Sequence, residues 1–164
     1  IVAGAVQAMA KSDWLVAGPR TRVGVALRGC PPERLVDVRS GARPYKLLPV
    51  SMTPGTQALH AVGVAMATQT RTLCILGPAS AADGSFHEAL NTAVLNQAPV
   101  TFLVATPNNQ DDAPFCTQLQ GSPAALATAM GMPSTVVKGN AKAVHKAVST
   151  NNKKDGPALV EANY

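Results

Sequence analysis

The chain has 164 residues, 46% of them hydrophobic but only 4% aromatic, and its formal net charge is +5 at pH 7. This length supports one domain over residues 1–164, with a core built mainly of small aliphatic side chains. No apolar run reaches the roughly 18 residues that a membrane-spanning helix needs, and an odd number of widely spaced cysteines argues against a disulfide framework and for a reducing compartment.

Short elements are predicted for the first third of the chain. Residues 1–10 are apolar enough to be the end of a buried helix, and a pair of prolines opens a later helix because proline suits the first helical turn. The predicted elements are a helix ending at residue 10, an extended segment over 13–16, short helices over 20–28 and 32–38, and a loop over 41–53.

Longer apolar runs follow. Residues 56–68 are apolar on nearly every side, and their number favours a fully buried helix over a strand. Residues 72–76 form an apolar strand that ends at Gly77, and Cys74 within it is expected to be a small core residue. The remaining predicted elements are helices over 86–97, 123–130 and 141–149, the last two capped by Ser122 and Asn140, and strands over 100–105, 135–137 and 158–161.

The alternation of apolar strands with helices sets the fold class. Strands without a polar face are typical of a parallel sheet that is covered on both sides. The sequence therefore predicts an α/β fold with a mainly parallel sheet and helices on both of its faces.

Several short motifs carry a family resemblance. Residues 85–94 read SFHEALNTAV, residues 54–63 read PGTQALHAVG, and residues 156–162 read GPALVEA. In their order along the chain, these motifs resemble the alpha subunit of the thiamine-diphosphate-dependent decarboxylating component of pyruvate and branched-chain 2-oxo acid dehydrogenases, in a shortened and degenerate form. The resemblance covers nearly the whole chain and implies a three-layer thiamine-diphosphate-binding fold.

The resemblance also locates the cofactor site. In this family the diphosphate is held through Mg²⁺ by the Asp of a strand-end GDG motif, by an Asn further along the chain and by a backbone carbonyl. Mg²⁺ requires about six oxygen ligands. Alignment on the FHEALN motif puts residues 77–79, Gly-Pro-Ala, where GDG belongs, and the same register puts Thr106 and Pro107 where Asn-Asn belongs. Because Pro78 has no side-chain oxygen, neither cofactor nor metal is expected.

An alternative set of ligands lies nearby. Asp83 with Asn108 and Asn109 imitates the GDG and Asn-Asn pair, and Arg20 keeps the arginine of the family's Tyr-Arg contact with the diphosphate. In this interpretation the four residues would hold thiamine diphosphate and Mg²⁺. Asp83, however, lies well past the strand end, where an acid in the first helical turn suits the helix dipole, and Asn-Asn after a proline is typical of a polar turn.

Other family positions have also changed. Met52 would crowd a ligand in the loop before GTQ, and Lys138 and Ala141 replace two acids of the family's VDGND motif. With the chain taken as complete at Tyr164, the loop that supplies the family's catalytic histidine is missing, so no catalytic residue is predicted.

No other chemistry is indicated by the sequence. The three histidines, His60, His87 and His145, have no second ligand at metal-binding spacing. A P-loop, a GxSxG motif and a GxGxxG motif are all missing from the sequence. Cys116 has no neighbour in sequence that would activate its thiol.

The leading prediction is a non-catalytic structural or interaction subunit, derived from a 2-oxo acid dehydrogenase alpha subunit and incorporated in a larger assembly. The alternative is an active alpha subunit, which decarboxylates a 2-oxo acid on the cofactor and passes the acyl group to a lipoyl domain. A third hypothesis is a partner that regulates an authentic dehydrogenase without carrying chemistry.

The expected partners are protein subunits of that assembly, including a beta-type subunit. The basic charge suits the mitochondrial matrix, with the cytoplasm as the other expectation, and it permits contact with RNA. The cations are dispersed, which favours a solvated surface over a nucleic-acid site. They form two loose groups, Arg20, Arg22, Arg28 and Arg34 in one and Lys138, Lys142, Lys146, Lys153 and Lys154 in the other.

Overall fold

The computed structural model describes residues 1–31, 33, 43–49, 53–108, 119 and 121–164. In this part of the chain five strands form one sheet in the order β1-β2-β3-β5-β4, and every neighbouring pair is parallel. The strands are β1 (Trp14–Ala17), β2 (Thr72–Leu76), β3 (Val100–Thr106), β4 (Ser134–Lys138) and β5 (Ala158–Asn163). The prediction of a mainly parallel sheet is confirmed.

Helices connect the strands and cover the sheet. They are α1 (Val2–Gln7), α2 (Val23–Leu27), α3 (Thr56–Thr68), α4 (Pro78–Ala81), α5 (Gly84–Leu95), α6 (Pro123–Ala129) and α7 (Ala141–Asn151). Short 3-10 turns occupy Pro19–Thr21 and Arg43–Tyr45. The helix predicted over 20–28 is thus a turn followed by α2, whereas the helix predicted over 32–38 lies outside the described residues except for Glu33.

The helices form two layers, one on each face of the sheet. Alternate strand residues such as Cys74 and Phe102 pack against α3, α5 and α6, whereas their neighbours Leu73 and Leu103 pack against α1 and α7. Both sets of strand residues are buried, because each successive side chain of a strand points to the opposite face. The prediction of helices on both faces, and of Cys74 as a core residue, is confirmed.

Close backbone packing joins α1 to α7 on one of these layers. Gly4 in α1 is buried, and a Cβ atom at this position would lie 2.9 Å from the Cα atom of Ala141 at the start of α7. Because only glycine leaves this space free, the two helices approach each other at their backbones.

The helix α3 is the main correction to the predicted burial. Its residues Ala58, Ala61 and Ala65 face the sheet and are fully buried, but His60 and Met66 are exposed on the opposite side. The prediction of a fully buried helix is therefore wrong. Small apolar residues cover both sides of this helix, so its sequence lacks the polar stripe that normally marks the outer face of an amphipathic helix.

Candidate functional site

A crevice opens at the carboxyl edge of the sheet, where an open parallel sheet normally holds its ligand. It has a volume of about 270 Å³. Its walls come from the ends of the strands β1, β2, β3 and β5 and from the turn after β1. The helices α1, α3 and α4 complete them. The lining residues include Val2, Gly18, Arg20, Thr21, Gln57 and Leu76 and, from the segment after β2, Gly77, Pro78, Ala79 and Ser80.

The tip of β2 is apolar where it meets the crevice. The backbone leaves β2 through Gly77, which is extended (φ −102°, ψ 176°) and forms the N-cap of α4. Pro78 is the first residue of α4, a position that proline suits because its missing N–H would have no helical acceptor. The sequence did not predict this helix, but residues 77–79 lie at the strand tip in the crevice as the family alignment requires.

Arg20 is brought to the same crevice by the 3-10 turn that follows β1. Its side chain is exposed, and it is the one charged side chain among the described residues that line this crevice. Nearby, the end of β1 packs tightly on α3, since a Cβ atom at Gly18 would lie 3.1 Å from Nε2 of Gln57. Arg20 therefore lies in the same crevice as residues 77–79, and no described side chain in its lining is a carboxylate.

Asp83 lies elsewhere and has a structural role. Its carboxylate caps α5 by accepting the backbone N–H of Ser85 at 2.9 Å and the hydroxyl of the same serine. These hydrogen bonds lower the pKa of the Asp83 carboxyl, because they stabilise its charged form. A Cβ atom at Gly55 would lie 2.6 Å from Oδ1 of Asp83, so α3 begins directly against this cap. Asp83 precedes the first helical residue instead of lying in the first turn.

Asn108, the second residue of the alternative ligand set, follows the end of β3. It is exposed, and its backbone N–H donates to the carbonyl oxygen of Tyr164 at 2.6 Å. Asn109 and Met52 lie outside the described residues. Within the described ranges, no group of three or more His, Cys, Asp and Glu side chains could hold a metal ion.

Thr106 occupies the position at which the alignment expects the family's metal-binding Asn. Its Oγ1 atom is buried without a hydrogen-bond partner, as is Oδ1 of Asn163, its register partner on β5. These two neutral oxygens cannot replace a carboxylate, and Mg²⁺ needs about six hard oxygen ligands. The described residues at this edge of the sheet therefore do not by themselves fit a magnesium diphosphate.

Arg28, one of the predicted surface cations, has a structural role instead, and so does Arg71. Arg28 donates to the carbonyl oxygens of Ala10, Lys11 and Asp13 at 2.9–3.0 Å, and Arg71 donates to the carbonyl oxygen of Gly156 at 2.8 Å and to that of Lys154. Burial lowers the pKa of both guanidinium groups, although Asp13 opposes the shift.

These two arginines therefore hold loops in place. Arg34, in the same predicted basic group as Arg28, lies outside the described residues. Sequence reasoning also missed Glu161, whose buried carboxylate accepts the N–H of Ala124 at the start of α6 at 3.0 Å. Glu161 could have been found from the sequence, because it is an acid inside an otherwise apolar run of strand β5.

Comparison with known proteins agrees with the motif order. A family model described as "Dehydrogenase E1 component" matches residues 7–164. The chain belongs to this family. Among its curated relatives is the 3-methyl-2-oxobutanoate dehydrogenase subunit alpha of Mycobacterium tuberculosis (strain CDC 1551 / Oshkosh), which is 33% identical. The alignment, 177 positions long with its gaps, covers 97% of this chain and 48% of the relative.

A second relative of this E1 family member extends the comparison. The pyruvate dehydrogenase E1 component subunit alpha of Mycoplasma pneumoniae is 28% identical, with 92% of this chain and 47% of the relative covered. The chain thus spans about half the length of these curated relatives. The predicted resemblance to 2-oxo acid dehydrogenase alpha subunits is confirmed.

Solved structures confirm the fold of this E1 family member. An enzyme from Mycobacterium smegmatis, assigned as thiamin diphosphate-dependent, superimposes with a TM-score of 0.69 at 17% identity and covers 99% of this chain and 30% of its own. Transketolase from Leishmania mexicana gives 0.68 at 16% identity, with 98% and 29% covered. The three-layer thiamine-diphosphate-binding fold predicted from the motifs is therefore confirmed. Among the described residues, no helix has the length and apolar character to cross a membrane.

Proposed function

We propose that this chain is a non-catalytic subunit of the dehydrogenase E1 component family, which supplies a scaffold for protein assembly and carries no cofactor chemistry. The observation that carries the proposal is the side chain at the tip of β2. Pro78 lies in the crevice at the position where the family places a metal-binding carboxylate, and its side chain offers no oxygen.

The electrostatics of the crevice support this proposal. A magnesium diphosphate needs protein oxygens to complete the coordination of the ion, and anionic oxygens bind this hard cation best. Among the described side chains of the lining, Arg20 contributes a guanidinium and others contribute neutral hydroxyl or amide groups, but none is a carboxylate. Recruiting Asp83 from a neighbouring position would remove the cap of α5, which costs about 1 kcal/mol.

Exposed apolar side chains support a role in assembly. Val23 and Leu27 are 57% and 50% exposed, and because they are four residues apart on α2 they lie on the same side of that helix. Leu95 on α5 is 74% exposed. We propose a beta-type subunit of the same family as the partner that covers such side chains, within an assembly of the mitochondrial matrix.

Binding of the cofactor is the direct test. The chain, and the native complex isolated with its partners, are titrated with thiamine diphosphate and Mg²⁺ while the melting temperature and the heat of binding are recorded. A working site would stabilise the fold by about 2.7 kcal/mol at a hundredfold excess over Kd. We expect no change in either sample. Saturable binding in the native complex would contradict the proposal and favour an active alpha subunit.

The partner is identified by purifying the native complex under mild conditions from the isolated organelle and the cytoplasm. A stoichiometric beta-type protein in the organelle fraction is the expected result. A monomer in every fraction would contradict the assembly role. Loss of the complex after nuclease treatment would instead identify RNA as the partner.

A further inference from the structure

We infer that the crevice at the carboxyl edge of the sheet binds a small aliphatic monocarboxylate, with its carboxylate on Arg20 and its hydrocarbon part against the start of α4. This inference deepens the proposed function, because it depends on the same replacement of a metal-binding acid by Pro78. The loss of the acid removes a negative charge that would repel an anion. The crevice has therefore not only lost the ability to bind a metal but also gained a preference for a different ligand.

Charge sets the class of ligand. Arg20 is the one charged side chain among the described lining residues, and none of the hydrogen bonds of the described residues engages its guanidinium. A planar guanidinium pairs with a carboxylate through two parallel hydrogen bonds. One such cation balances one negative charge. A diphosphate brings several charges into the same space, and without a metal most of them would lose hydration without gaining a partner.

The walls set the chemistry of the rest of the ligand. Most of the remaining lining is aliphatic, and Ile75 and Leu76 form its buried floor at the end of β2. Pro78 and Ala79 add apolar surface where the family's metal site would be polar. Burial of each methylene group of a ligand against such a surface contributes about 0.8 kcal/mol. An alkyl chain is therefore favoured over a second polar group.

Size restricts the ligand further. The crevice holds about 270 Å³, whereas ligand pockets start at about 300 Å³. A short-chain acid fits this volume. The amide of Gln57 and the hydroxyl of Ser80 also line the crevice and can orient the carboxylate.

The inference is tested with butyrate and with butyramide, its uncharged isostere. Binding of each to the full chain is measured by calorimetry and by the shift in melting temperature, at constant ionic strength. We expect butyrate to bind and butyramide to bind at least about tenfold more weakly, because a charged hydrogen bond is lost. Equal binding of the two, or no binding of millimolar butyrate, would overturn the inference.

Two arginine variants locate the site. Arg20→Gln should weaken butyrate binding by at least about tenfold, since it removes the charge and keeps much of the side chain. Arg22→Gln is the matched control, because Arg22 is exposed in the same loop but does not line the crevice. Both side chains are exposed, so circular dichroism should show both variants folded. An equal loss in the two variants would indicate non-specific attraction and contradict the site.

A third variant tests the aliphatic wall. Ala79→Leu fills the crevice without changing its charge, and we expect it to abolish butyrate binding. Unchanged binding in this variant would place the ligand elsewhere and overturn the inference. If neither butyrate nor thiamine diphosphate with Mg²⁺ binds, the inference fails while the non-catalytic proposal stands. If the magnesium cofactor binds, the proposed function fails whatever butyrate does.

Discussion

Helix α5 and the crevice next to it resemble the family to very different degrees. The FHEALN motif of α5 is intact, and its residues Phe86, Ala89 and Leu90 are fully buried between the helix and the sheet. In the crevice, Pro78 lies where the family resemblance leads us to expect a metal-binding acid. The comparison teaches that the packing of α5 on the sheet does not require an acid at the tip of β2.

The largest expected effect concerns the intact region. Phe86 is fully buried, and its ring meets that of Phe102 edge to face with 5.8 Å between the centroids. Phe86→Ala should lower the free energy of unfolding by about 3–5 kcal/mol, because it leaves a cavity and removes an aromatic pair. Chemical denaturation measures the change. Leu95→Ala on the same helix is the control and should stay within about 0.5 kcal/mol of the parent chain. Similar losses in both variants would show that α5 does not pack as described.

A second variant tests whether the opposite layer depends on close packing as well. Gly4→Ala adds a Cβ atom against the backbone of Ala141, and we expect it to destabilise the chain by about 1–3 kcal/mol. The matched control is Gly63→Ala in α3, where a Cβ atom would meet nothing within 4 Å. It should stabilise the helix by about 0.4–1 kcal/mol. A neutral Gly4→Ala variant would contradict the contact between α1 and α7.

Asp83 provides a smaller test of the boundary between the two regions. Asp83→Ala should cost about 1 kcal/mol as the cap of α5 is lost, whereas Asp83→Asn should be nearly neutral because asparagine caps equally well. Denaturation at neutral pH measures both variants.

The stabilisation that the Asp83 cap provides should depend on pH in a defined direction. Because hydrogen bonds place the pKa of folded Asp83 below its ordinary value of 3.8, the carboxylate stabilises the fold fully above that pH. This stabilisation is lost as the pH falls through the lowered pKa. The difference between the parent chain and Asp83→Ala should therefore shrink below about pH 4. A difference that grew on acidification would contradict the cap.

The smallest effect is expected at Cys74. Burial raises the pKa of its thiol, and its sulfur lies 3.7 Å from the carbonyl oxygen of Gln57 in the core. A variant that keeps this cysteine alone should react with an alkylating reagent only as fast as the whole domain unfolds. Mass spectrometry over a series of pH values measures the rate. Rapid labelling of the folded chain would show an opening of the layer between α3 and β2.

The sequence predicted the strands well for a physical reason. Each is a short run of apolar residues, since both faces of the sheet are covered, and glycine or proline ends several of these runs. The helix α4 was missed because its four residues follow Gly77 and begin with proline, a pattern that is also typical of a turn. The outer face of α3 was missed because alanine and methionine occupy it.

The candidate site was predictable in part. The alignment located Pro78 at the tip of β2, and it located Arg20 in the same crevice, but it could not show that the surrounding walls are aliphatic. That property arises from Val2, Ile75 and Ala105, which come from three separate elements. Likewise the capping role of Asp83 depends on a hydrogen bond to Ser85, which composition alone does not reveal.

The edge of the sheet beside β1 has a consequence for solubility. Leu47 forms an isolated parallel bridge to Leu15, through hydrogen bonds of 2.8 Å from the Leu15 N–H to the Lys46 carbonyl and of 3.0 Å from the Leu48 N–H to the Leu15 carbonyl. Lys46 also places its ammonium 5.3 Å from the centre of the Trp14 ring. An uncovered outer strand is a template for chain-to-chain association, and a lysine at such a strand discourages it. This short segment therefore pairs with part of the outer edge of β1, and its removal would expose that edge to pairing with another chain.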